Sequence, residues 1–183
     1  MTQIEAARKG IITREMTEVA EDEGLTPEEI RALVASGEVV IPHNKHHEFR
    51  AIGIGKKLRT KVNANLGASN FHQLLGEEIE KLYTAVRYGA DSVMDLSTGT
   101  DLDKIRGEIL SRCSVILGTV PIYQLASERS IMDMDAAFFL EVIERQAKQG
   151  VDYMTLHCGV TRESVAKLRA HQRIEGISLR HSG

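Results

Sequence analysis

Residues 61–69 read KVNANLGAS. The run reads as a strand that turns at Gly67, and it sets Asn63 and Asn65 two residues apart. Side chains at i and i+2 of a strand project to one face, so two carboxamides point the same way at a strand end. Buried amides need hydrogen-bond partners. Three further segments bring polar or polarisable groups to the same relative position. "DSVMDLS" ends in Met94, Asp95 and Ser97; "SVILGTVPIY" runs out through Thr119, Pro121 and Tyr123; "VDYMTLHCG" ends in His157 and Cys158. Thr60, Asp91, Ser114 and Asp152, at the opposite ends, show no comparable cluster. Four successive strand ends carrying such groups point to a ligand site.

Each of these residues also has a plainer reading. Asn65 can cap a turn. Met94 can fill a core gap. Asp95 can bond the backbone of "LSTGT", Tyr123 can be a packing residue, and His157 can be a satisfied core histidine. "HNKHH" invites a metal reading at His43, His46 and His47. It lacks the i, i+4 histidine pair with an intervening Glu, so a solvated loop is expected. "GIGKK" at residues 53–57 lacks the spacing and the Ser or Thr of a phosphate loop.

The elements that must position these residues follow from periodicity. Residues 14–23 carry Met16, Val19 and Ala20 on one helical face and stop at Gly24. Thr26, Pro27 and Glu29 form a capping box for a helix bearing Ile30, Leu33 and Val34, which ends before Gly37. "VVIP" reads as a short extended segment. From residue 58 the pattern alternates: strands at 58–67, 91–97, 114–123, 151–159 and 174–179, separated by amphipathic helices. The helix faces are Ile79, Leu82 and Val86; then Leu102, Ile105 and Ile109; then Phe139, Val142 and Ile143 with Asp133 as N-cap. A further helix spans 161–172. Strict alternation predicts a parallel sheet with helices outside, either doubly wound or the start of a (β/α)8 barrel. Ligands of both architectures bind beyond the C-terminal strand ends. No G-x-G-x-x-G follows the first strand, which weighs against a dinucleotide fold.

Composition agrees with one α/β domain. The chain has 183 residues, is 42% hydrophobic and 4% aromatic, and lacks Trp, so its core is aliphatic. A net charge of −3 gives no footprint for nucleic acid. No apolar run approaches the ~18 residues of a membrane span, and the first ten residues lack a signal-peptide core. A cytoplasmic location is expected. Cys113 and Cys158 are too few for a disulfide framework.

Five segments carry a resemblance: "ARKGIIT" (7–13), "KVNANLG", "GADSVMDLSTG" (89–99), "GTVPIYQ" (118–124) and "QGVDYMTLHCGVT" (149–161). In this order and spacing they resemble phosphomethylpyrimidine synthase, the radical S-adenosylmethionine family of thiamine pyrimidine synthesis. The resemblance implies a (β/α)8 barrel, with residues 1–57 as an N-terminal helical segment and extended arm. Residues 58–183 then form the first half of the barrel, an incomplete barrel of four βα units and a fifth strand. It implies a carbon–carbon lyase converting aminoimidazole ribotide to hydroxymethylpyrimidine phosphate. Ribotide contacts carry over onto Asn65, Met94, Tyr123 and His157, with Asp95 and Arg180 as further candidates and Asn63 in a supporting role. At Arg180 the family's Ser-Arg-Gly-Gly loop reads "LRHS" instead.

The family enzyme uses a [4Fe–4S] cluster, S-adenosylmethionine and zinc. Its cluster motif, C-x-x-C-x-x-x-x-C, and its zinc histidines belong to a second half that is not among these 183 residues. No catalytic or metal-binding residue is therefore assigned here, and the chain alone is expected to be inactive. Exposed sheet edges of a half-barrel imply a homo-oligomer or completion by the missing half. Two alternatives stand beside this reading: a paralogous hydroxybenzimidazole synthase using the same ribotide, and a non-catalytic half-barrel binding module.

Overall fold

A computed structural model describes residues 1–69, 74–130 and 133–170. The expected strand at 174–179 and Arg180 lie outside the described residues.

The N-terminal part is a small helical layer: α1 (Gln3–Arg8), α2 (Arg14–Glu23) and α3 (Pro27–Ser36). Local chemistry fixes each helix boundary. Thr2 with Glu5, and Thr26 with Glu29, form reciprocal capping boxes, and Thr13 accepts from Met16 N at 3.2 Å. Gly24 and Gly37 close α2 and α3 at φ of 67° and 78°, a left-handed conformation that costs glycine little. Met16, Val19, Ala20, Ile30, Leu33 and Val34 pack together with Val39, Ile41 and Ala51. Burial of each large aliphatic side chain stabilises this layer by roughly 1.5–3 kcal/mol. "VVIP" contributes β1 (Val39–Val40), antiparallel to β2 (Ile54–Gly55). A Cβ on Gly55 would collide with the carbonyl oxygen of Glu38. Lys56 pairs with Glu38 at 2.5 Å, so "GIGKK" closes a ribbon.

The rest is mixed α/β. Strands β3 (Asn63–Leu66), β4 (Ser92–Asp95), β5 (Ile116–Thr119) and β6 (Tyr153–Met154) lie parallel and adjacent in chain order. Between and after them run α4 (Leu75–Arg87), α5 (Leu102–Leu110), α6 (Pro121–Glu128), α7 (Ala136–Gln149) and α8 (Arg162–Ala170). The two-residue period sorts the strand side chains. Leu66, Val93 and Leu117 pack against Leu82, Ile105 and Ile109 of α4 and α5. Thr119 faces the same way and donates to Gln146 of α7 at 2.6 Å. Phe138 and Val142 of α7 pack on Leu125 of α6. The other face carries Asn63, Asn65, Ser92, Met94, Ile116, Gly118 and Tyr153.

Several expectations are corrected. The segment 114–123 is not one strand: β5 stops at Thr119, and Pro121 opens α6 at its first turn, where the missing N–H costs nothing. Tyr123 is thus helical. The N-cap of α7 is Asp135, not Asp133; its carboxylate accepts from Phe138 N at 2.7 Å. Phe138 is the buried aromatic, and Phe139 packs only partly against the same cluster. The strand at 151–159 is only two residues long, flanked by single bonds from Asp152 N to Leu117 O and from Thr155 N to Thr119 O. Among the described residues β6 has no neighbour on its outer edge to extend it.

The N-terminal strand ends do carry a cluster. Asp152, with its side chain fully buried, accepts from His47 Nδ1 at 2.7 Å, Asn44 N at 2.9 Å and Leu117 N at 2.8 Å. Asn44 Nδ2 donates to the carbonyls of Ala147 and Val151 at 2.7 and 2.8 Å. Asp91 pairs with Arg59 and accepts from Val62 N at 2.8 Å. "HNKHH" is therefore only partly a solvated loop: His43 and His46 are exposed, but His47 is 5% exposed. Its Nε2 sits 2.9 Å from the carbonyl of Cys113. With an acceptor at each ring nitrogen, His47 is held as the imidazolium. Burial opposes the charge, but the bonds to Asp152 and Cys113 outweigh it and raise its pKa to about 10.

Candidate functional site

The exits of β3 and β4 are stitched together past the strands themselves. Leu96 N donates to Leu66 O and Thr98 N to Ala68 O, both at 2.9 Å. Ser97 Oγ accepts from Ala68 N at 3.0 Å, and Asp95 Oδ1 accepts from Ser97 N at 2.9 Å. A Cβ at Gly67 would stand 2.9 Å from the backbone of Leu96, so only glycine lets the two loops approach this closely. From α4, Glu78 reaches back with Oε2 to accept from Gly67 N at 2.8 Å, while its Oε1 holds Lys81 at 2.6 Å. The turn that presents Asn65 is thereby fixed from two sides.

Asn65 and Met94 are cross-strand partners on the face away from the helices. Asn65 is exposed and Met94 half-buried. Asp95 alternates with Met94 and lies on the helix face, 6% exposed. Burial raises its pKa, opposed by the bonds from Ser97 and the charge of Arg106. The structure gives Asp95 the backbone contact in "LSTGT" that its plainer reading described.

The exits of β5 and β6 meet through rings. Tyr123, in the first turn of α6, stacks on His157 beyond β6, with centroids 6.1 Å apart and planes at 28°. His157 is exposed, not a core histidine. Two of the four predicted contacts thus meet by strand register and two by stacking, all at the C-terminal strand ends. Arg180 lies outside the described residues.

Below Asn65 on the same face lies a polar cluster. Asn63 Nδ2 donates to Asn65 Oδ1 at 2.9 Å. Asn63 Oδ1 accepts from Ser92 Oγ and Tyr153 OH, each at 3.0 Å, and those two hydroxyls are 2.7 Å apart. Asn63, expected in a supporting or core-lining role, is exposed and so does not line the core. Ser92 and Tyr153 escaped the sequence reading, although strand alternation with Asn63 was a signal for both.

A second set of missed residues braces α6. Arg106 is 3% exposed. It donates to Gln124 Oε1 at 2.5 Å and Asp103 Oδ1 at 3.0 Å, and it also bonds Gln149. Gln146 Nε2 donates to the same Gln124 oxygen at 2.8 Å. Burial lowers the pKa of Arg106 from its ordinary value, opposed by Asp95 and Asp103. The signal was its helical spacing: Arg106 lies four residues after Leu102 and three before Ile109, on the inward face.

The chain's donors do not fit an iron–sulfur cluster held by three thiolates. Cys113 is buried and gives its hydrogen to Val115 O at 3.0 Å, while Cys158 is exposed beyond β6. Among the described residues, no three His, Cys, Asp or Glu side chains converge to hold a metal ion. No helix among them is long and apolar enough to cross a membrane.

The phosphomethylpyrimidine synthase of Caldanaerobacter subterraneus is 51% identical over 183 residues, which cover 97% of this chain and 42% of that protein. Those of Thermus thermophilus and Methanocaldococcus jannaschii are 50% and 48% identical, covering 100% and 97% of this chain and 43% of each relative. The chain thus spans about two-fifths of the length of the curated relatives it matches. The model of the Radical SAM ThiC family matches residues 2–182, and the chain belongs to that family.

Proposed function

We propose that this chain supplies the first part of the ribotide site of a phosphomethylpyrimidine synthase acting in thiamine biosynthesis. In this reading the parallel sheet is the first half of a (β/α)8 barrel, and residues 1–57 are a separate N-terminal unit closing its lower end. Helices α4, α5 and α7 pack on one face of the sheet, which favours a barrel; a doubly wound sheet carries helices on both. The observation that carries the functional reading is the placement of Asn65, Met94, Tyr123 and His157 at the C-terminal ends of four parallel strands. Asn65 and His157 hydrogen-bond aminoimidazole ribotide, Met94 packs on it, and Tyr123 stacks on His157. Asp95 acts through Ser97, by holding the loop.

The family's radical chemistry uses S-adenosylmethionine and a [4Fe–4S] cluster, with zinc as a further metal. The residues described here do not fit either metal centre, so their contribution is to bind and orient the ribotide. The outer edges of β3 and β6 have no strand partner among the described residues, and such edges template association. They favour a homo-oligomer or docking of a segment that completes the barrel. We place the protein in the cytoplasm.

The test is titration of the isotopically labelled chain with aminoimidazole ribotide, followed by NMR. Shifts should concentrate at Asn65, Met94, Tyr123 and His157. Asn65→Ala and His157→Ala should each weaken binding by about 5- to 150-fold, from the roughly 1–3 kcal/mol of one lost buried hydrogen-bond partner. The chain supplies only the first part of the site and should bind weakly, so the titration is carried to high ribotide concentration; shifts that arise away from these residues would overturn the reading.

A further inference from the structure

Tyr153 stands on β6 but bonds to residues of β4 and β3. It reaches them because β5 has no side chain in between. Tyr153 is the register partner of Gly118, and a Cβ there would run into its ring. The ring lies across Gly118 and brings its hydroxyl to Ser92 and Asn63. One side chain thus links β6, across β5, to β4 and β3, on the face that carries Asn65.

The triangle of Ser92 Oγ, Tyr153 OH and Asn63 has a direction. Two hydroxyl hydrogens are available for three contacts. With the Asn63 oxygen at the third corner, one hydroxyl donates to the other and the second donates to Asn63, and both hydrogens are used. An NH2 group at that corner would leave one hydroxyl hydrogen with no acceptor in the triangle. Ser92 is buried and Tyr153 half-buried, so the arrangement that matches both hydrogens within the triangle is favoured. In this arrangement the Asn63 oxygen faces the hydroxyls and its NH2 donates to Asn65 Oδ1 at 2.9 Å. The oxygen of Asn65 is then occupied. Its own NH2 has no partner among the described residues, and it offers two donors and no acceptor to whatever lies above it.

We infer that Asn63, held by Ser92 and Tyr153, is a positioning residue that sets the polarity of Asn65, so that the site takes a hydrogen-bond acceptor of its ligand at that point. This rests on the reading of Asn65 as a ribotide contact. The acceptor can be a phosphate oxygen or a ring-nitrogen lone pair, and both chemistries share the same requirement.

The experiment has a ligand-free arm and a ligand arm, both on the whole 183-residue chain. In the first, side-chain NH2 groups are assigned by nitrogen-15 NMR. The Asn63 NH2 is exposed but bonded, so it should exchange more slowly than the Asn65 NH2 and show nuclear Overhauser contacts to the Asn65 side chain. A slowly exchanging Asn65 NH2 with Asn63 NH2 contacts to the Tyr153 ring would overturn the assignment. In the second arm, aminoimidazole ribotide and inorganic phosphate are titrated against wild type and Asn63→Asp. The carboxylate can only accept, so it turns Asn65 around and points its oxygen at the ligand. Binding should fall about 5- to 150-fold with an unchanged circular dichroism spectrum. Tyr153→Phe and Ser92→Ala each leave one hydroxyl and should lose less. Loss of phosphate affinity in parallel identifies the phosphate as the acceptor; loss for ribotide alone identifies the ring. Unchanged ribotide affinity in a folded Asn63→Asp protein would refute the inference. Failure of the wild type to bind ribotide would remove the ribotide reading, while the ligand-free arm still decides the polarity.

Discussion

The rings of Tyr123 and His157 stack at 6.1 Å, joining the first turn of α6 to the segment beyond β6. Both side chains flank the C-terminal rim, and each limits the motion of the other. Tyr123→Phe keeps the ring and should leave ribotide affinity within about threefold, since aromatic pairing of roughly 0.5–1.5 kcal/mol is retained. Tyr123→Ala removes it and should weaken binding by about 2- to 13-fold on the same figure. Equal affinity for the two variants, measured by NMR titration, would show that the stack plays no part in binding.

His47 and Asp152 lock the N-terminal arm to the sheet, and the lock titrates. The folded pKa of His47, about 10, lies above its ordinary 6.5. A cation stabilised by folding contributes fully below the unfolded value and loses that contribution as pH rises through the folded one. Thermal stability should therefore decline between pH 6.5 and 10 more steeply in wild type than in His47→Gln. Parallel melting curves for the two proteins across this window would contradict the imidazolium assignment. Asp152→Ala strands a buried cation and two backbone N–H donors, and should cost roughly 3–5 kcal/mol at neutral pH.

Glu78 is 1% exposed and accepts from the backbone of Gly67, the turn that follows Asn65. Glu78→Ala leaves that N–H unmatched. The expected cost is roughly 1–3 kcal/mol in denaturant unfolding. Amide exchange at Gly67 and Ala68 should accelerate before global unfolding. Exchange that remains slow there would mean that Ser97 alone fixes the loop.

Gly118→Ala tests the space beneath Tyr153. The added methyl group displaces the ring, and overpacking of this kind costs roughly 1–3 kcal/mol. The nuclear Overhauser contacts between the Tyr153 ring and Asn63 should disappear. A fully stable variant that keeps those contacts would show that the sheet yields instead of the ring.

Incubated anaerobically with iron, sulfide and S-adenosylmethionine, the chain should develop no [4Fe–4S] absorption and release no 5′-deoxyadenosine. Two cysteines placed as Cys113 and Cys158 do not make a three-thiolate set. A cluster spectrum in the 183-residue protein would overturn this.

The sequence by itself determined the parallel sheet, the order of its strands, and the strand ends at or beyond which Asn65, Met94 and His157 lie; it missed α6, which holds Tyr123. These depend on local signals: hydrophobic period, capping boxes at Thr26 and Glu29, and glycines at helix ends. Hydrophobic period could not distinguish an extended run from a helix opening at Pro121, because the apolar residues of "VPIY" fit either. Nor could it show that His47 is buried, since its partner Asp152 lies on a distant strand and the neighbouring histidines are exposed. Only the tertiary structure decided these points. Spacing put Asn63 and Asn65 on one face. Which of their atoms face the ligand depends on Ser92 and Tyr153, which strand register and the bare backbone of Gly118 bring within hydrogen-bond reach.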